Sequence, residues 1–296
     1  MLSVVMFIMV NVEIINKIFD ELIIKCRKSG GLSTRVKGRL NHFAEESRGY
    51  RKEKGLIINA NGEILLERQG TETKVQYTVS EIKELIEKTG LMGDFHKEHN
   101  HPTPYISAKN EENLLPTCLS EADIDNLQEC WVFDDKNGDE LYITPFKSIT
   151  CECPNGSRMT LNRIGIGDEN TVRNASIDPD VFKYDAFHRK FNQARDNLQI
   201  AHSNFIHNLI DTGGYIDSHM DNWYKEWNKN NQHNQKILHQ EPIDWGALES
   251  PSREEYNRER DKYIQEYTRN NYKYYIENSI KEWQELGFEL SVEWTR

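Results

Sequence analysis

The sequence predicts an α+β protein that ends in an all-α region, and three observations lead to that class. Between Gly55 and about Ile164, short apolar runs punctuated by Asn-Gly and Asp-Lys-Asn-Gly turns alternate with stretches of helical spacing. Past about Gly165 the apolar positions step by threes and fours instead. Within the first of these stretches, a His-x-His pair falls on one predicted strand and a Ser-x-x-Asp opens a predicted helix.

Taken in order, Ile14, Ile15, Ile18, Leu22 and Ile23 form an amphipathic helix stopped by Lys28-Ser29-Gly30-Gly31. Met1 to Val10 is apolar but lacks a basic start and a small-residue cleavage site, so neither a signal peptide nor a spanning helix is expected. Gly55–Asn59 and Ile64–Glu67 make a hairpin across Asn59-Ala60-Asn61-Gly62. Lys74–Thr78 reads as a further strand, and Ser80 as the cap of a helix through Ile82, Leu85 and Ile86 that stops at Gly90. Phe95–His101 is a strand and Glu121–Leu127 a helix. Trp131–Phe133 with Glu140–Ile143, and Ser148–Cys153 with Arg158–Arg163, form closing hairpins. Phe187 to Leu209 is a long amphipathic helix, Met220 to Trp227 begins another, and Asn228 to Gln235 reads as loop. A last helix starts at Ser252-Arg253-Glu254-Glu255 and runs to about Glu285, with an aromatic stripe including Tyr256, Tyr263, Tyr267, Tyr274 and Trp283. Such a stripe is expected in the core, with a partner-docking surface as the alternative. Three segments follow: 1–50, an N-terminal helix and charged linker; 51–165, a metal-binding domain; 166–296, a helical, aromatic-rich region for a partner or substrate.

The chemistry concentrates in His99-Asn100-His101-Pro102 followed by Ser120-Glu121-Ala122-Asp123. Residues i and i+2 of a strand share a face, so His99 and His101 present their imidazoles to one point. Pro102 has no N–H for a ladder and ends the strand. Ser120 as N-cap sets Asp123 on the first turn of a helix, where it can face the imidazoles. Two histidines and one aspartate leave a tetrahedral position open, the mark of a catalytic zinc site. Each half alone is weak: paired histidines on a strand are common, and Ser-x-x-Asp is also a capping box. His96, nearby, reads as solvent-facing, with a supporting role at the metal as the alternative. Cys151-Glu152-Cys153 places two thiols on one strand face, and Cys118 or Cys130 could complete a second zinc site with them.

The ordered pair of motifs resembles the JAMM (JAB/MPN-type) zinc metalloprotease signature, a glutamate followed by H-x-H-P and S-x-x-D, over roughly residues 50 to 165. The HNHP form is most like prokaryotic and phage members. The resemblance implies a JAMM-like mixed sheet with flanking helices, Zn²⁺ held by His99, His101 and Asp123, and cleavage of a peptide or isopeptide amide. It implies a glutamate general base just upstream. Glu53, ahead of Gly55 and an apolar strand, matches best, with Glu63 and Glu67 as rivals. It also gives Ser120 a second role as oxyanion donor. The chain departs from the compact pattern in the 17 residues Thr103–Leu119 between Pro102 and Ser120, which could admit substrate or cap the site.

Composition bounds the partners. A net charge of −11 argues against broad phosphate-backbone binding, and the basic cluster Lys25 to Arg39 reads as a solvated face. Five cysteines in 296 residues do not form a secreted disulfide framework, so a cytoplasmic location is expected, with no membrane role. The expected partner is a protein or peptide substrate. Two other readings remain: a phage or prophage morphogenesis factor docking a structural protein through its C-terminal helices, and a RadC-like nucleic-acid-associated protein.

Overall fold

A computed structural model of the chain describes residues 32–46, 52–71, 74–89, 95–101, 115–116, 118–128, 131–134, 140–143, 145–153, 156–164, 182–211, 213–238 and 251–294. The expected helix around Ile14 to Ile23 lies outside them, as do Pro102 and most of the Thr103–Leu119 insertion.

The protein is mixed α+β. Helix α1 (Thr34–Glu46) precedes the hairpin β1 (Lys54–Ile58) and β2 (Ile64–Gln69). Then come α2 (Val79–Lys88), β3 (Phe95–Asn100), the short α3 (Glu121–Asp125), and a separate two-stranded hairpin, β4 (Trp131–Asp134) and β5 (Glu140–Ile143). Strands β6 (Phe146–Glu152) and β7 (Ser157–Arg163) follow, then helices α4 (Phe182–Ile210), α5 (Tyr215–Leu238), α6 (Arg253–Tyr275) and α7 (Glu277–Glu285), and last β8 (Phe288–Trp294). The main sheet has six strands in the order β2-β1-β3-β6-β7-β8. Its one parallel pair is β3 with β6; the other neighbours are antiparallel.

Strand β8 corrects the expectation of an all-α C-terminal region. Phe288, Leu290 and Val292 alternate with Glu289, Ser291 and Glu293, and this period-two pattern pairs with β7 from Arg163↔Phe288 to Ser157↔Trp294. Gly287 (φ 82°) makes the turn from α7 into it. The helices share the core of the sheet. Phe191 of α4 meets Trp283 of α7 edge-on at 4.9 Å and Phe288 at 5.7 Å, in a cluster that also holds Ile149, Cys151, Met159 and Leu161 of the sheet. Of the aromatic stripe, Trp283 is fully buried, whereas Tyr256 and Tyr274 are exposed; Tyr272, between them on α6, is also fully buried.

Smaller corrections are local. Lys74–Thr78 joins no ladder, and Thr78 rather than Ser80 caps α2, in a reciprocal capping box with Glu81. The Asn/Gln-rich stretch 228–235 continues α5 instead of looping. The final helix divides at Ile276 into α6 and α7, and α6 starts at its expected cap, Ser252. No helix among the described residues is long and apolar enough to cross a membrane.

Strand pairing divides the sheet into two unlike faces. Lys97, His99, Cys151, Met159 and Leu161 lie on the face covered by the C-terminal helices. Leu56 and Ile58 lie on the other, under Val36, Leu40 and Phe43 of α1. They share it with a polar row of His96, Glu98, Ser148, Thr150, Glu152, Arg158, Thr160 and Asn162, all buried.

Candidate metal centre

Strand β3 breaks a rule that locates the site. A central strand buried on both faces ordinarily reads as an apolar run, yet β3 reads Phe-His-Lys-Glu-His-Asn with every residue buried. Such local conflicts concentrate at functional positions. The strand is held on both sides, by β1 through Gly55↔His99 and by β6 through His99↔Cys151. The ladder runs one residue further, where the His101 N–H donates to the Glu152 carbonyl at 2.7 Å.

On the helical face, His99 Nε2 stands 3.2 Å from His101 Nε2 and 3.2 Å from Asp123 Oδ2. In a tetrahedral zinc site, ligands bonded at about 2.0–2.1 Å lie roughly 3.3 Å apart, so His101 and Asp123 each stand at ligand spacing from His99, although Asp123 is not in the group of atoms that close on one another around His99, His101 and Cys151. Cys151 joins from β6: its Sγ and the ring nitrogens of His99 and His101 all lie within 4.8 Å of one another, and the three residues could hold a metal ion. His99 Nδ1 is buried with no hydrogen-bond partner among the described residues, so it lacks the outer acceptor that ordinarily fixes the tautomer of a metal-binding imidazole.

Asp123 is positioned by its helix start. Its backbone N–H donates to Ser120 Oγ at 3.2 Å, while Ser120 Oγ and the Ser120 N–H both donate to Asp123 Oδ2, at 2.6 and 3.1 Å. Lys97 Nζ, two residues before His99 on the same face, lies 3.6 Å from Asp123 Oδ1. Burial alone would raise the Asp123 pKa, but His99, Lys97 and Ser120 together hold it well below the usual carboxylate range. Burial, reinforced by the nearby His99, pushes His101 down to about 4. At neutral pH the site therefore presents a carboxylate and an unprotonated imidazole, the forms a cation binds.

Glu53 precedes β1 and is pinned through its backbone: its N–H donates to Thr71 O and its carbonyl accepts from the Gly70 N–H, both at 2.7 Å. Asn100 Oδ1 accepts from the next N–H, that of Lys54, at 2.6 Å, which ties this segment to β3. The buried carboxylate interacts electrostatically with His99, Asp123 and Lys97. Burial raises its pKa, opposed by His99 and assisted by Asp123. Gly55 is required two residues on because a Cβ would meet Tyr77 Oη at 2.6 Å and Val75 Cγ1 at 2.9 Å. The rival Glu67 extends from β2 to Lys54 Nζ at 2.6 Å with nearly half its side chain exposed, and Glu63 is exposed and bound to Asn59.

The structure thus brings together Glu53, His99, His101, Ser120 and Asp123, and adds Lys97 and Cys151. His96 differs from both expectations. It is buried on the opposite face, its Nδ1 2.6 Å from Ser148 Oγ. The helical region forms a wall of the site. Gln199 Nε2 of α4 donates to Leu119 O at 2.7 Å, next to Ser120, and Arg195 pairs with Asp125 at 2.8 Å. One turn beyond Gln199, His202 holds Tyr272 Oη of α6 at 2.8 Å and acts electrostatically on His101. Lys97 was missed although period-two alternation from His99 places it on the same face, whereas the neighbours of Cys151 and His202 depend on strand order and helix docking.

No protein-family model matches the chain, and neither curated proteins nor solved structures offer a significant match.

Proposed function

We propose that the protein is a zinc-dependent amide hydrolase of the JAMM kind, with His99, His101 and Asp123 as metal ligands. The observation that carries this reading is that His99 Nε2 stands 3.2 Å from both His101 Nε2 and Asp123 Oδ2, with the buried Glu53 within electrostatic reach of His99 and Asp123. Bound zinc would supply Lewis acidity, activating water and polarising a carbonyl. Glu53 takes the proton from the attacking water and returns it to the departing amine. Its elevated pKa suits both directions, because a base that must later act as an acid works best near the ambient pH. Lys97 and Ser120 hold the Asp123 carboxylate in place, one at each oxygen. The Ser120 hydroxyl sits at the rim, where it can turn from Asp123 to an oxyanion as negative charge develops. The substrate class, a peptide or isopeptide amide, comes from the motif resemblance.

The test is hydrolysis of fluorogenic peptide and lysine-linked isopeptide amides by the zinc-loaded chain, with Glu53→Gln alongside. Turnover by the wild type that disappears in Glu53→Gln, with zinc retained, is the expected result. Undiminished turnover in Glu53→Gln removes Glu53 from the mechanism.

A further inference from the structure

We propose that Cys151 is a fourth protein ligand of this centre, so that the resting chain holds its metal closed between His99, His101, Asp123 and a thiolate. The inference rests on the metal reading above and extends it from the ligand set to the control of access. Cys151 is the direct register partner of His99 across the parallel β3–β6 pair, so their side chains leave the sheet on the same face and side by side. The His101 N–H to Glu152 carbonyl bond keeps that register at the metal end of both strands. A core cysteine usually packs as a small apolar group. This one is fully buried with its sulfur within 4.8 Å of two imidazole nitrogens.

The donor chemistry fits. With Zn–S near 2.3 Å and Zn–N near 2.0–2.1 Å, sulfur and nitrogen ligands stand roughly 3.6 Å apart in a tetrahedron. The sulfur and both imidazole nitrogens lie within 4.8 Å of one another, so taking one ion between them requires these side chains to draw together. A soft thiolate beside two imidazoles favours zinc over magnesium or calcium. Four protein ligands leave no position for water, which is the arrangement of closed rather than catalytic zinc sites. Hydrolysis then requires the thiolate to withdraw, and Cys151 acts as a latch on the centre. Cys153, two residues on, is not part of the cluster.

Cobalt substitution tests this on the full chain without any substrate. The wild type loaded with about one Co²⁺ is expected to show a thiolate-to-cobalt charge-transfer band and a tetrahedral visible spectrum that azide does not alter. Cys151→Ser should lose the band, still bind cobalt through His99, His101 and Asp123, and now respond to azide at the vacated position. Cys153→Ser should keep the wild-type spectrum, and Cys151→Ala guards against a serine ligand standing in. Cobalt bound to the wild type without the band, or a band that survives Cys151→Ser, overturns the assignment while leaving the hydrolase reading intact. An azide response in the wild type overturns the latch. No cobalt bound by folded wild type sinks the metal reading and this inference together.

Discussion

His99 Nε2 and Asp123 Oδ2 stand 3.2 Å apart although 24 positions separate them in sequence and they arise from different elements, a central strand and a helix start. Neither residue reaches the other by chance of rotamer. His99 is clamped between β1 and β6, and Asp123 is fixed by its reciprocal bonds with Ser120 and by Lys97. Rigid support of this kind is what a metal site needs from its surroundings.

Ser120 carries part of that rigidity. Ser120→Ala removes the N-cap of α3, at a cost of about 1 kcal/mol. It also frees one side of the Asp123 carboxylate, and loss of such an outer partner weakens metal binding roughly 10–100-fold. Thermal unfolding of the metal-free protein and a competition titration with a chelator separate the two effects. Unchanged zinc affinity would reduce Ser120 to a helix cap.

His96 makes stability depend on pH. Burial holds its pKa at about 4, against an ordinary value of 6.5, with Lys147 pushing the same way. Below 6.5 the unfolded chain takes up a proton that folded His96 refuses, so its contribution is complete above pH 6.5 and lost as pH falls toward 4. The shift sets a ceiling of about 3 kcal/mol. Denaturant midpoints of the metal-free wild type should decline across this window, and those of His96→Gln should decline less. Parallel curves would contradict the assignment.

Much of the site could be read from residue spacing, and the reasons for the remainder are specific. The i, i+2 rule put His99 and His101 on one face, and cap chemistry put Asp123 on a helix start. Both rest on near neighbours in sequence. Cys151 was legible as a possible ligand only for a different, second site, because nothing local says that β6 lies parallel to β3 with Cys151 opposite His99. His96 carries no sign of its burial, since it alternates with Lys97 in a strand without apolar contrast. The Phe288–Trp294 alternation was a readable strand signal that the preceding helical run obscured. The stretch 228–235 continues the helix of the residues before it despite weak Asn propensity.

The polar face opposite the candidate site is sensitive to a single cation. Arg158 pairs with Glu152, donates to Asn41 Oδ1 at 2.8 Å and reaches Glu293 at 3.9 Å. Burial, then the neighbouring Glu152, raises the Glu98 pKa, with Arg158 opposing. Arg158→Met strands these carboxyls without a cation and should cost about 3–5 kcal/mol, as broken buried pairs do. Adding Glu152→Leu to that variant should restore a large part of the loss in urea unfolding. No recovery in the double variant would mean that Arg158 acts by packing.

Trp283 tests whether the helices and strand β3 unfold together. It is fully buried against Phe191 and Phe288, and Trp283→Ala should cost about 3–5 kcal/mol. Because that cluster is continuous with Ile149 and Cys151, far-ultraviolet circular dichroism and release of bound zinc should report one transition, shifted equally in the variant. Two separated transitions would show that the helical region is an independent unit.

The most direct test of the central claim is bound zinc per chain, by elemental analysis of purified full-length protein with His101→Ala and Asp123→Ala in parallel. About one zinc in the wild type, lost from both folded variants, is the predicted result. A folded wild type that binds no zinc when the metal is supplied would contradict it, and would leave His99, His101 and Asp123 as a hydrogen-bonded cluster at the end of a buried strand.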